Sequence, residues 1–238
     1  MRHTLYLENA AIQDETIVVE GDEARHALRV KRVAEGDRVR VINGYGKAII
    51  GEVIEASRVL RLAVVESEDV PPVRPRVEVR TATPKGPRLD RMIDQLSQTG
   101  AASWGPVSCA RSVTEARTTK LERIERIASE ASKQCVRAWR LEIDEPETFD
   151  AALETDASLI VADASGASYE PTGADAIRLL IGPEGGLTDT ELAAARAAGA
   201  VVCRFGPHTM RIETAAVVAA AIIIERETAS RQQGTDQS

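Results

Sequence analysis

The stretch IGPEGGLTDTELAAARAAGA, residues 181–200, decides the fold. It starts at the end of an apolar run, Leu179-Leu180-Ile181, turns through Gly-Pro-Glu-Gly-Gly, and passes at once into a helical pattern. Thr188 and Glu191 have the T-x-x-E spacing of a capping box, which predicts a helix beginning near Asp189. Gly185 and Gly186 permit backbone conformations closed to other residues and remove side-chain bulk, while Pro183 stiffens the turn. A glycine turn at the C-terminal end of a strand is where ligands sit in open α/β sheets. Taken alone, the turn also reads as a tight strand-to-helix connection with no ligand.

Two phosphate motifs are missing. The chain has no G-x-x-x-x-G-K-[ST] loop, and no G-x-G-x-x-G follows a strand. A second stretch, FGPHTMRIETAAVVAAAIII at 205–224, repeats the logic of the first. A strand ends at Phe205, Gly206-Pro207 turns, and an apolar helix starts near Glu213. A third strand end, VADASG at 161–166, supplies a possible third wall. A pocket built this way is lined by backbone amides and carbonyls, which suits the edge of an adenine better than a phosphate.

Outward from these turns, strands and helices alternate from Val77 onward. VEVRTATP is a strand, and RLDRMIDQLSQTG sets Leu89, Met92, Ile93 and Leu96 on one helical face before Gly100. A long helix is expected over 118–139, with Leu121, Ile124, Ala128, Ala131 and Cys135 at helical spacing. SLIVAD, RLLIG and VVCRFG read as buried strands. This alternation predicts an α/β domain with a mostly parallel sheet. Residues 1–70 differ: TIVVEG, DRVRVING, KAIIGEVIEA and VLRLAVVES are short β-branched runs between turns, with EARHALRV the one helix. The expected division is a β-domain over 1–70, a proline-bearing linker at 71–76, an α/β domain over 77–228, and a disordered tail at 229–238.

Bulk composition bounds the function. The chain has 238 residues, 43% hydrophobic but only 3% aromatic, so its cores are aliphatic. A net charge of −7 argues against coating nucleic acid by bulk charge, though not against a local basic patch. No apolar run is long enough for a membrane span, and no signal-peptide core is present, so a cytoplasmic protein is expected. Three scattered cysteines, Cys109, Cys135 and Cys203, have no metal-ligand spacing and suggest reduced thiols.

IGPEGGLTDTEL followed by GPHTMRIETA resembles the SPOUT superfamily of methyltransferases, and within it the RsmE-like ribosomal RNA uridine-N3 methyltransferases. HALRVKRVAEGD, with His26, Val30, Arg32, Gly36 and Asp37, resembles that family's RNA-binding segment, and the likeness covers nearly the whole chain. The resemblance implies an N-terminal PUA-like β-barrel and a C-terminal SPOUT domain tied in a deep trefoil knot. It further implies a homodimer using S-adenosylmethionine to methylate N3 of a uridine in 16S, small-subunit ribosomal RNA. Ile181, Gly182, Glu184, Gly185, Gly186, Phe205, Gly206, Met210, Arg211, Thr214 and Ala215 are implied to line the cofactor pocket. Pro183 of the first turn and Ala162 of the third wall join them by position. The chain departs from the family at Gln98-Thr99, at Cys109-Ala110 and at Lys133. A SPOUT enzyme with another RNA target, or an inactive RNA-binding module, are the competing readings.

Methyl transfer to uracil N3 needs a base for the proton and a cation for the charge that develops. Glu213 is the candidate base, and Arg211 and Arg137 are the candidate cations; a glutamate at a helix start is also ordinary dipole compensation. Two basic clusters could meet RNA. One holds Arg25, Arg29, Lys31, Arg32, Arg38 and Arg40, beside His26; the other holds Arg111, Arg117, Lys120, Arg123, Arg126, Lys133, Arg137 and Arg140. The RNA-binding candidates are Arg25, His26, Arg29, Arg32, Arg111 and Arg137. Glu122, Glu125 and Glu130 lie within the second cluster, so a solvated, ion-paired helix face is its other reading.

Overall fold

The computed structural model describes residues 3–8, 15–113 and 121–235. The chain divides into two compact units. One holds Met1–Pro72 together with Ser129–Arg140, and the other holds Val73–Ala128 and Leu141–Ser238.

In the first unit, β1 (Thr4–Tyr6), β2 (Thr16–Val19), β3 (Arg38–Ile42), β4 (Lys47–Ala56) and β5 (Leu60–Asp69) form one sheet in the order β1-β3-β4-β5-β2. Pairing is antiparallel except for β1 with β3. Two register shifts in β4–β5, at Ile50/Gly51 and Val53/Glu55, mark bulges that bend the ladder. Among the described residues β1 and β2 are the ends of this ladder. Period-two alternation buries Val39 and Val41 of β3 and Leu60 and Leu62 of β5. They pack with Ala24 and Ala27 of α1 (Gly21–Arg29).

Residues 129–140 join this unit through specific bonds. Lys133 Nζ lies 3.0 Å from Glu23, the Trp139 indole donates to Val70 O at 2.7 Å, and Arg140 pairs with Glu8 at 3.2 Å. A linear division at residue 70 does not anticipate this return of the chain.

The second unit is built on a seven-stranded sheet. Its strands are β6 (Arg76–Thr81), β7 (Ser103–Ser108), β8 (Glu142–Ile143), β9 (Glu147–Thr148), β10 (Ser158–Ser168), β11 (Ala176–Ile181) and β12 (Val201–Arg204). The order is β12-β10-β11-β6-β7-β8, with β9 also on β7, and every pairing is parallel. α2 (Pro87–Thr99) has proline at its start and a left-handed Gly100 at its end. Its buried face is Leu89, Met92, Ile93 and Leu96, as the spacing predicts. α3 is Leu121–Cys135, α4 is Phe149–Leu153, α5 is Asp189–Ala197 and α6 is Ile212–Thr235. α6 buries Ala216, Ala219, Ala220 and Ile223 completely and packs on α2, β6 and β11.

Two sequence expectations change here. Residues 229–235 continue α6 rather than form a tail, because Arg231 donates to Asp175 at 3.1 Å and to the Ala174 carbonyl at 2.6 Å; residues 236–238 lie outside the described residues. Arg137 is not on the face of α3. The helix stops at Cys135, Val136 turns left-handed at φ 60°, and Arg137 N closes on Ser132 O.

Candidate cofactor cavity

The C-terminal ends of β10, β11 and β12 open into one cavity of about 1000 Å³. β11 and β12 end at this edge of the parallel sheet, while β10 runs on to Ser168 rather than ending at VADASG, with a register shift between Ala162 and Ala167, so two turns and a strand irregularity meet there. Ala162 stands on one wall, Ile181 to Gly186 on a second, and Phe205, Gly206 and Met210 on a third, with Ala215 from α6. Arg211 and Thr214 are exposed and stand outside the lining.

The first wall-forming turn is locked by identifiable bonds. Gly186 sits at φ +72°, where a side chain would be strained, and its N–H closes on Pro183 O at 2.8 Å. At Gly182 the constraint is space: a Cβ there would lie 2.8 Å from Leu187 Cγ. The expected capping box is present. Thr188 Oγ1 accepts from Glu191 N at 3.1 Å, and Glu191 Oε2 accepts from Thr188 N at 2.7 Å. Burial alone would raise the Glu191 carboxyl, but its bonds from Thr188 and Ala110, with Arg111 nearby, hold it below the usual range. Arg111, a sequence candidate for RNA contact, donates to the Gly185 carbonyl at 2.9 Å and the Leu187 carbonyl at 3.4 Å. It therefore braces the turn.

Sequence reasoning missed the cavity's Tyr169, Leu187, Cys203, Ile222 and Arg226. Ile222 lies within an all-apolar run, so no pattern marks it as a wall residue. Tyr169 stacks on Phe205 with ring centroids 5.7 Å apart, and its hydroxyl donates to Glu227 at 2.5 Å. Glu227 is fully buried on α6 and also accepts from Thr172 N, Thr172 Oγ1 and Gly173 N at 2.6, 2.9 and 3.1 Å. Burial and the neighbouring carboxylate together push the Tyr169 phenol well above its ordinary value.

The catalytic candidates fall unequally. Glu213 is buried at the start of α6, its Oε2 has no hydrogen-bond partner, and its Oε1 is 4.0 Å from Arg88. Arg211 is exposed on the preceding loop, and Arg137 belongs to the first unit. Of the RNA candidates, Arg25 pairs with Asp22, and His26, Arg29 and Arg32 are exposed. Among the described residues Arg29 and Arg32 have no ion pair. In the second cluster the ion-paired reading holds for Arg123, bidentate on Asp90 at 2.6 and 2.7 Å, and for Lys133, held by Glu23 and Glu130. Arg117 and Lys120 lie outside the described residues. Among the described residues no cluster of His, Cys, Asp or Glu is placed to hold a metal, and no helix is long and apolar enough to cross a membrane.

The cavity fits an adenosyl ligand. Its walls are backbone turns plus Ile181, Leu187, Phe205, Met210 and Ile222, the apolar faces and bare amides that a nucleoside requires.

Comparison with known proteins agrees. A model of the RNA methyltransferase domain matches residues 72–224, and one of the RNA methyltransferase PUA domain matches residues 19–63. A ribosomal RNA small subunit methyltransferase E from Mycobacterium bovis is 34% identical over 223 residues, covering 85% of this chain and 83% of its own. A probable rRNA-methyltransferase from Porphyromonas gingivalis superposes with a TM-score of 0.84 at 26% identity, over 96% of this chain and 99% of its own. The fold is also that of a Neisseria gonorrhoeae ribosomal RNA small subunit methyltransferase E bound to S-adenosyl methionine, with a TM-score of 0.82 at 22% identity, over 93% and 96% of the two chains. By its PUA and methyltransferase regions and its identity to these relatives, the chain belongs to the ribosomal RNA small subunit methyltransferase E family.

Proposed function

We propose that this protein binds S-adenosylmethionine in the cavity at the ends of β11 and β12 and methylates N3 of a uridine in 16S ribosomal RNA. The observation that carries the proposal is the convergence of the β10 irregularity after Ala162 with the turns at 181–186 and 205–210 on one cavity. Bound there, the cofactor supplies an electrophilic methyl group on a sulfonium. The chain's task is positioning and charge. Ile181 to Gly186 and Phe205 to Met210 hold the cofactor, with Tyr169 on Phe205 as a wall. Glu213, buried with one oxygen unpartnered, takes the N3 proton. Arg211 and Arg137 are assigned to the RNA side, with Arg25, His26, Arg29 and Arg32 on phosphates.

The same reading includes a deep trefoil knot, a homodimer, a PUA-like RNA-binding role for the N-terminal unit, and a cytoplasmic location. The knot is supported by the path of the chain: β12 is at the sheet edge, yet the following α6 packs on β6 and β11 and is clasped at Glu227 by residues 169–173. The dimer is supported by the half-buried Val218 and Ala221 on a helix already supplied with a core face.

The test is titration calorimetry with S-adenosylmethionine and with its demethylated product, followed by methylation of small-subunit particles from cells lacking the enzyme. Binding in the micromolar range and a new N3-methyluridine are expected. Absence of binding by folded, cofactor-free protein overturns the enzyme reading in favour of an inactive RNA-binding module.

A further inference from the structure

A second, smaller cavity of about 240 Å³ shares a wall with the cofactor cavity. Pro183, Glu184 and Ile212 line both. Its remaining walls include Thr83 and Lys85, from the loop between β6 and α2, and Arg88 at the start of α2. No motif in the sequence singles these residues out.

The chemistry of this side cavity is unlike that of the larger one. Thr83 is 8% exposed, and its Oγ1 is buried without a hydrogen-bond partner. An orphaned buried hydroxyl costs stability unless a ligand satisfies it. Glu213, next to the shared wall residue Ile212 in the chain but outside the lining itself, also has an orphaned Oε2. The Arg88 guanidinium stands between two carboxylates, 3.4 Å from Glu184 and 4.0 Å from Glu213. Lys85 is exposed at the rim, without an ion pair among the described residues. Two cations, the Glu184 carboxylate paired with one of them, and a hydroxyl line a small space, a set that suits a flat, neutral group that gains negative charge on its oxygens.

We propose that this side cavity holds the flipped-out target uracil, and that Arg88 is a catalytic residue that stabilises the charge on its oxygens. The proposal rests on the methyltransferase reading above. An enzyme acting on an atom of the base edge must draw the base into a pocket beside its cofactor. Glu213 takes the proton from N3. The freed electron pair on N3 bonds the methyl carbon as the carbon–sulfur pair leaves on sulfur, giving a neutral thioether and a neutral methylated base. Arg88 faces the O2–N3–O4 charge while N3 is unprotonated, and Thr83 Oγ1 supplies a hydrogen bond to the base edge. Glu184 and Glu213 hold the guanidinium in place before the base arrives.

The test uses the full-length protein with Arg88→Ala, Arg88→Lys and Thr83→Val, and small-subunit particles assembled on RNA transcribed with uridine or 5-fluorouridine. Cofactor affinity is measured first for each variant. Unchanged affinity shows that the cofactor cavity is intact, and failure of the wild type to bind would instead refute the methyltransferase reading. Arg88→Ala is expected to lower turnover by about 100-fold, the effect of removing one preorganised charge-stabilising donor, and Arg88→Lys by less. The fluorine of 5-fluorouridine acidifies N3, so the Arg88→Ala deficit should shrink at least severalfold on that RNA, which a merely structural role would not produce. Thr83→Val should lower kcat/KM without lowering the melting temperature, because it removes an orphaned hydroxyl. Turnover of Arg88→Ala within threefold of wild type, or a deficit equal on both RNAs, overturns the assignment.

Discussion

Substitution of Glu227 by glutamine tests how α6 is tied to the cofactor cavity. The carboxylate is fully buried and accepts four hydrogen bonds, from the Tyr169 hydroxyl, Thr172 N, Thr172 Oγ1 and Gly173 N. Burial by itself would raise its pKa, but these donors outweigh burial and hold it below the ordinary value of 4.5. Glutamine keeps the shape and turns one acceptor oxygen into a donor NH2. Either that group faces Gly173 N–H, donor against donor, or the amide flips and loses the bonds at the other oxygen. Charge-assisted bonds contribute about 1.5–3 kcal/mol each, so the variant should lose about 3 kcal/mol, or roughly 6–12 °C of melting temperature for a chain of this size. Because Tyr169 stacks on Phe205 in the cavity wall, cofactor affinity should fall as well.

Scanning calorimetry of wild type, Glu227→Gln, Tyr169→Phe and the double variant measures both the loss and the coupling. A carboxylate whose folded pKa is depressed stabilises above its unfolded pKa, and that contribution is lost as pH falls through the folded value. The wild-type advantage over Glu227→Gln should therefore be full at neutral pH and shrink below about pH 4.5. A melting-temperature difference under about 2 °C at neutral pH, or additive effects of the two substitutions, would refute the clasp.

Four further outcomes are expected. Arg111→Ala removes the bonds to the Gly185 and Leu187 carbonyls, and should weaken cofactor binding about fivefold, some 1 kcal/mol, with little change in melting temperature; an unchanged Kd in calorimetry contradicts the bracing role. Gly182→Ala places a methyl 2.8 Å from Leu187, so the turn must shift and cofactor affinity should fall more than tenfold by the same assay. Thr188→Ala removes the helix cap of α5 and should cost about 1 kcal/mol, seen as a drop of about 2–4 °C in melting temperature. Burial, with the Glu191 carboxylate nearby, pushes the Cys109 thiol up to about 12, so mass spectrometry should find Cys109 largely unmodified after brief iodoacetamide treatment at pH 8.

Elements with a strong local period were legible in the sequence. The Leu89, Met92, Ile93 and Leu96 face of α2, the alternating β3 and β5, and the Thr188–Glu191 cap each follow from neighbours within a few residues. The short β8, β9 and α4 were not legible, since two to five residues carry no period. Glycine-proline turns at strand ends announced a ligand site because backbone demands leave few residue choices. Glu130, three residues before Lys133, marks that pair locally, but Arg123 carries no such mark, because its partner Asp90 is 33 residues away.

By itself, then, the sequence determined the parallel α/β unit, the β-rich N-terminal unit, and the turns around the cavity, because each depends on local spacing. Only the tertiary structure decided which distant groups meet there. It placed Tyr169 on Phe205 and Glu227 against residues 169–173, and it turned Arg111 into a brace for the glycine turn. It also opened a side cavity at Thr83 and Arg88, more than ninety residues before Glu184. Such contacts arise from strand order and chain path, and side chains far apart in sequence leave no periodic trace of them.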